Sequence, residues 1–155
     1  MRFVRAVSSL DDVRLLGVVH TPPTGEDAGV YHDLVRVTEP GSLEDVLDGV
    51  EVLRRRHGAP YRIVGILELM MVTLAQARAR YGVAGTSVET AELFREKARM
   101  KEALGAAGLP VAQHRLLTSE TQAAAFAEQV GFPLILKPPA GMGAKATFRV
   151  STTAE

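Results

Sequence analysis

The amino-acid sequence predicts an α/β protein: a parallel sheet with flanking helices. Three observations carry that prediction. Short apolar runs at 14–20, 33–37 and 62–67 alternate with helix-length segments, the pattern of βαβ units. Turn and stop residues punctuate them, notably Thr21-Pro22-Pro23-Thr24-Gly25, Gly58 with Pro60, and Gly82. The hydrophobic fraction is 46% with no Trp, so the core is expected to be aliphatic, which suffices at 155 residues.

Taken in order, residues 1–12 read as a helix, with Phe3, Val4, Val7 and Leu10 at helical spacing. Leu-Leu-Gly-Val-Val within 14–20 is a short buried strand, and Asp-Leu-Val-Arg-Val at 33–37 is the next. Ser42 with Asp45 resembles an N-cap with an acidic first turn, opening a helix to about residue 57. Arg-Ile-Val-Gly-Ile-Leu at 62–67 is a third strand, followed by Glu68 and a helix over 69–81. Thr86 and Glu89 fit a capping box for one long helix over 88–107, closed by Gly108 and Pro110. A strand is expected at 113–117, then a helix over 119–130 with Ser119 and Gln122 as a second capping box. The chain finishes as two strand-like runs, 134–136 and 146–150, around a loop.

A doubly wound domain opens with a strand that lies inside the sheet, in the order 3-2-1-4. Here the first element reads as the helix that follows such a strand. The first domain is therefore expected to lack its first strand, with Met1 an internal methionine or a late start. In that case 15–19 and 63–67 either pair with each other or keep open edges, and open apolar edges favour self-association.

Composition narrows the function classes. Lys plus Arg and Asp plus Glu each total 18, so no basic excess suggests nucleic acid. The absence of Cys excludes disulfides, thiol nucleophiles and Cys-based zinc sites. His20, His32, His57 and His114 are scattered without metal-ligand spacing, so no metal site is expected from them. No apolar run approaches the roughly 20 residues that span a bilayer, and the first seven residues are too short and polar for a signal peptide. No membrane partner and a cytoplasmic location are expected.

The chemistry-bearing residues cluster late in the chain. The run Leu134 to Leu136 delivers Lys137, Pro138-Pro139 breaks the strand, and Gly141-Met142-Gly143 follows. Glycines let backbone N–H groups approach a phosphate, and a lysine supplies positive charge. Plain hairpin glycines and a solvated strand-end lysine are the alternatives. Lys97 lies among Leu93, Met100 and Leu104 on one face of the expected long helix. It either snorkels out of that stripe or points into a cleft for an anion. Glu68 follows the third strand, where ligands collect in open sheets, or is an acid of a first helical turn. No Ser-His-Asp set can be assembled, and no catalytic residue is assigned. Walker A spacing is absent; Gly141 to Ala146 matches G-x-G-x-x-A, but a dinucleotide site requires a helix directly after it.

Together these residues resemble the ATP-grasp superfamily, nearest its carboxylate–amine ligase, biotin carboxylase and carbamoyl phosphate synthetase branches. The resemblance runs from Gly82 to Val150. It is carried by Gly85-Thr86-Ser87, Phe94-Arg95-Glu96-Lys97-Ala98-Arg99-Met100-Lys101, Gly108-Leu109-Pro110-Val111, Phe132-Pro133-Leu134-Ile135-Leu136-Lys137-Pro138 and Gly141-Met142-Gly143, in that order. It implies a pre-ATP-grasp α/β domain over 1–85 and the first part of an ATP-grasp α+β domain over 86–155. Lys97 matches the lysine that reaches the nucleotide phosphates. Lys137 matches the strand lysine at the phosphates and adenine edge. Gly141 and Gly143 match the loop over the β- and γ-phosphates, here less glycine-rich than in biotin carboxylases; Lys145 is a loose analogue of its basic residue.

The resemblance implies a ligase that uses ATP and Mg²⁺ to make an acyl phosphate from a small carboxylate, for attack by an amine or other nucleophile. In that family the Mg²⁺ ligands follow the glycine loop. The chain is thus expected to be an N-terminal fragment, inactive alone, with ATP and a carboxylate as partners of its parent. Two other classes remain open here: a non-catalytic nucleotide-binding or protein-interaction module, and a piece of a nicotinamide-dependent oxidoreductase. The second needs a helix after Gly143.

Overall fold

The computed structural model describes residues 2–141 and 143–154. The chain is α/β and divides into two compact units, Met1–Val88 and Glu89–Glu155.

The first unit opens with α1 (Arg2–Ser8). This helix is shorter than the periodicity predicts. The Ser8 and Ser9 hydroxyls each donate to a carbonyl three residues back, Arg5 and Ala6, at 2.9 Å. Serines that bond locally to the backbone favour helix ends over helix interiors. Strands β1 (Leu16–Val19) and β2 (Asp33–Arg36) pair in parallel, Leu16 opposite Asp33 through Val19 opposite Arg36. A 3-10 segment, Gly25–Val30, lies in the connection between them.

Helix α2 (Leu43–His57) follows with Ser42 as its N-cap residue. The Ser42 side chain makes no cap bond; the Asp45 carboxylate instead accepts from the Glu39 N–H at 2.6 Å. Val46, Gly49, Val50 and Leu53 are the buried residues of α2, at spacings of three and four that define one face. Val46 and Val50 share one core cluster with Ile63 and with Leu74 and Ala77 of α3 (Met71–Tyr81). Gly49 is a contact point: a Cβ there would lie 2.6 Å from Val18 Cγ1. The absent side chain lets α2 lie directly on β1.

The expected third strand at 62–67 is not a strand. Among the described residues β1 pairs only with β2, and 62–67 has no ladder partner. Only Ile63 in it is buried, and its carbonyl accepts from Arg78 Nε at 2.8 Å. Val64 and Ile66 are each 71% exposed. The run has strand composition, but a strand also needs a neighbour's backbone to complete its hydrogen bonds. Glu68 begins a 3-10 turn, Glu68–Met70, leading into α3.

From its second residue on, α4 (Val88–Arg95) belongs to the second unit, with α5 (Lys97–Ala106), α6 (Glu120–Val130) and an antiparallel pair, β3 (Leu134–Leu136) with β4 (Phe148–Val150). The single helix expected over 88–107 is two helices. Glu96 is extended at the junction (φ −97°, ψ 105°). Helix α5 closes with Gly108 at positive φ (76°), Leu109 N–H bonding the Leu104 carbonyl and Gly108 N–H that of Gly105. This pair of bonds is a Schellman stop. The strand expected at 113–117 is irregular chain, with Leu116 61% exposed and no ladder partner. At α6 the Ser119 hydroxyl caps the Gln122 N–H at 3.3 Å. The reciprocal bond goes to Thr118 N–H rather than to Ser119, at 2.9 Å from Gln122 Oε1.

Candidate functional site

The site centres on the connection between β3 and β4. Leu134, Ile135 and Leu136 form β3, and Lys137 follows it directly, exposed. Pro138-Pro139 cannot donate to a ladder, so the strand ends there. Gly141 is half-buried against the Pro138 ring, its would-be Cβ 3.5 Å from Pro138 Cβ. Gly143 has φ 61° with open space around it. Ala144 (φ 57°) and Ala146 (φ 52°) share that left-handed conformation, which costs an alanine roughly 1–2 kcal/mol. Thr147 N–H closes the turn onto the Ala144 carbonyl at 3.3 Å, and β4 begins at Phe148. The middle of the Gly141-Met142-Gly143 motif lies outside the described residues.

The helix break at Glu96 faces this loop. Three consecutive loop carbonyls receive donors from two residues beside the break. Lys97 N–H donates to Pro139 at 3.2 Å. Arg95 Nη2 donates to Ala140 at 2.7 Å. Arg95 Nη1 and Lys97 Nζ both donate to Gly141, at 3.4 and 3.3 Å. The break has a physical cause in this set. Lys97 N–H bonds the loop instead of continuing the helix, while Glu96 N–H still bonds Glu92 and Met100 N–H bonds Glu96.

Lys97 therefore comes together with Gly141, though not as the periodicity argument has it. No residue of α5 is buried, Leu104 is 37% exposed, and Leu93 and Met100 are half-buried. There is no continuous apolar stripe for Lys97 to interrupt; the loop half-buries it instead. Lys137 and Gly143 lie on the same loop, and Lys137 and Lys145 are both exposed. Arg95 is the residue that sequence reasoning missed. On a continuous helix, residues two apart point about 200° away from each other. That places Arg95 opposite Lys97, and only the extended Glu96 brings both to one loop.

What the site can do follows from its donors. An ammonium, a guanidinium and a second lysine beside glycine backbone suit an anion with several oxygens. A dinucleotide site is excluded, because the chain continues from Gly143 through turns into β4 and not into a helix. Among the described residues no group of three or more His, Asp or Glu side chains is arranged to hold a metal. No helix is long and apolar enough to cross a membrane.

Comparison with known proteins shows what the chain is similar to. No protein-family model matches the chain. An L-arginine-specific L-amino acid ligase of Bacillus subtilis is 36% identical over 86 residues, which are 56% of this chain and 21% of that protein. The carbamoyl phosphate synthase large chain of Methanothermobacter thermautotrophicus is 31% identical over 109 residues, 70% of this chain and 10% of that one. The chain is a relative of the ATP-grasp ligases. A solved structure agrees in fold: the biotin carboxylase domain of the Hydrogenobacter thermophilus 2-oxoglutarate carboxylase superposes with a TM-score of 0.78 over 99% of this chain and 35% of that one, at 21% identity. That structure was determined with MgADP and bicarbonate. This chain thus spans only a fraction of the length of each of these ATP-grasp relatives.

Proposed function

We propose that the loop between β3 and β4, with Lys97, forms the phosphate-facing part of an ATP site. The enzyme it serves activates a carboxylate as an acyl phosphate for attack by an amine. The single observation that carries the reading is the Lys97 ammonium on the Gly141 carbonyl, at the foot of a cation-bearing glycine loop. Its supports are the amino-acid-ligase name of one relative and the MgADP held by a structural neighbour.

The residues present fit the phosphates of ATP. Lys97 is half-buried, so its charge is less screened than that of a fully solvated lysine. Lys137, at the end of β3, supplies a second cation, and Gly141 and Gly143 allow backbone N–H groups to come close. Bound ATP would supply a transferable phosphoryl group; these residues would neutralise the charge that builds on it. For Mg²⁺, the described residues offer no cluster of ligands, and no step is routed through it.

Calorimetry with Mg-ATP on the 155-residue chain tests the reading. Weak binding is expected, reduced further by Lys97→Ala and by Lys137→Ala. No binding, or binding indifferent to both substitutions, contradicts it.

A further inference from the structure

We infer that Arg95 is a positioning residue for the glycine loop, and that phosphate binding works by exchange. The Lys97 ammonium leaves the Gly141 carbonyl for a phosphate oxygen, while Arg95 keeps the loop's first half in place. The inference rests on the reading of this loop as a phosphate site.

The two halves of the loop differ. Its first half presents the carbonyls of Pro139, Ala140 and Gly141 in succession to donors from Arg95 and Lys97. Among the described residues, its second half, 143–147, carries the backbone bond of Thr147 to Ala144. One arm is pinned from outside the loop; the described residues of the other are joined by a bond of its own turn. The pin suits a guanidinium. Arg95 spans two adjacent carbonyls with two of its nitrogens, which an ammonium on a flexible stem does not do as well.

The two cations differ in how readily they leave. The Arg95 bond to Ala140 is short, at 2.7 Å, and is backed by a second bond to Gly141. The Lys97 Nζ bond to Gly141 is 3.3 Å, and Arg95 shares that acceptor. A phosphate oxygen carries negative charge, so it attracts an ammonium more strongly than a neutral carbonyl does. The exchange therefore costs Gly141 one of two donors, and Arg95 retains the other. The loop keeps its anchor.

Amide hydrogen exchange of the 155-residue chain, with and without inorganic tripolyphosphate, tests this. Without ligand, Arg95→Ala is expected to speed exchange at Ala140, Gly141 and Gly143 by about five- to tenfold, the loss of one or two hydrogen bonds. Arg95→Lys should restore part of that protection, which a merely structural loss would not show, and it serves as the reading if the alanine variant fails to fold. Tripolyphosphate should slow exchange at 143–147 in the wild type, do so less in Arg95→Ala, and have no effect in Lys97→Ala. Unchanged loop exchange in both Arg95 variants overturns the positioning role. Tripolyphosphate protection that persists in Lys97→Ala overturns the phosphate reading itself, so the two failures are distinguishable.

Discussion

At the scale of single residues, absence of a side chain and pairing of charge are the two devices this chain uses most. Gly49 is the sharper case of absence. A methyl group there would collide with Val18, at 2.6 Å from Cγ1, and both partners belong to packed elements. Alanine is the better helix former by about 1 kcal/mol, so a helix-propensity argument alone predicts that Gly49→Ala stabilises. Overpacking predicts a net loss of about 1–3 kcal/mol. Urea denaturation decides the sign, and a more stable variant would show that α2 and β1 are not in close contact. Asp33 is the paired case. Its carboxylate lies 2.7 Å from the His57 ring nitrogen and 3.2 Å from Arg56, and it accepts from the Leu34 N–H. His57 above all, then Arg56 and that N–H, lower its pKa from 3.8 to about 2. A depressed folded-state pKa stabilises the fold above the unfolded value and ceases to do so as pH falls through the folded one. The contribution is therefore present above about pH 4 and lost between about pH 4 and 2. Asp33→Asn should lower stability near neutrality and flatten the decline over that interval. Equal pH slopes for the two proteins would show that the pairing contributes nothing.

At the scale of elements, the sequence was legible wherever local chemistry decides the outcome. Helix α2 starts after Ser42 and ends at Gly58, α3 ends at Gly82, and α6 is capped by Ser119, each where caps and stop glycines predict. Elements that depend on a distant neighbour were not legible. Residues 62–67 and 113–117 have strand composition but no ladder partner among the described residues. The break at Glu96 is of the same kind, since its cause is the Pro139 carbonyl, over 40 residues away. Lys97, Lys137 and the two glycines stood out as candidates, with a solvated lysine and plain hairpin glycines as alternatives, and only the resemblance gave them phosphate roles. Arg95 did not, because its position opposite Lys97 on a regular helix argues against it. The cap at α6 offers a local check. Ser119→Ala removes the bond to Gln122 N–H and should cost about 1 kcal/mol, read as a lower thermal midpoint. A midpoint that does not move would assign the start of α6 to the Thr118 and Gln122 bonds alone.

At the scale of the whole molecule, each unit has a distinct consequence. In Met1–Val88, β1 has a ladder partner on one side only among the described residues, and the 62–67 segment exposes Val64, Ile66 and Leu67. Unpaired edges with exposed apolar side chains template association. The chain is expected to show concentration-dependent mass in light scattering, and Ile66→Lys should shift it toward monomer. A monomer at all concentrations would mean that these edges are protected in solution. In Glu89–Glu155, the proposed phosphate site rests on one loop and the helix break that faces it.

The most direct test of that site is a titration of the isotopically labelled chain with Mg-ATP, followed by backbone amide shifts. The account predicts that the largest changes fall on 95–97 and on 137–147, that inorganic tripolyphosphate reproduces them, and that Lys97→Ala removes them. Shifts of equal size that cluster away from this loop, or that survive Lys97→Ala unchanged, would contradict it.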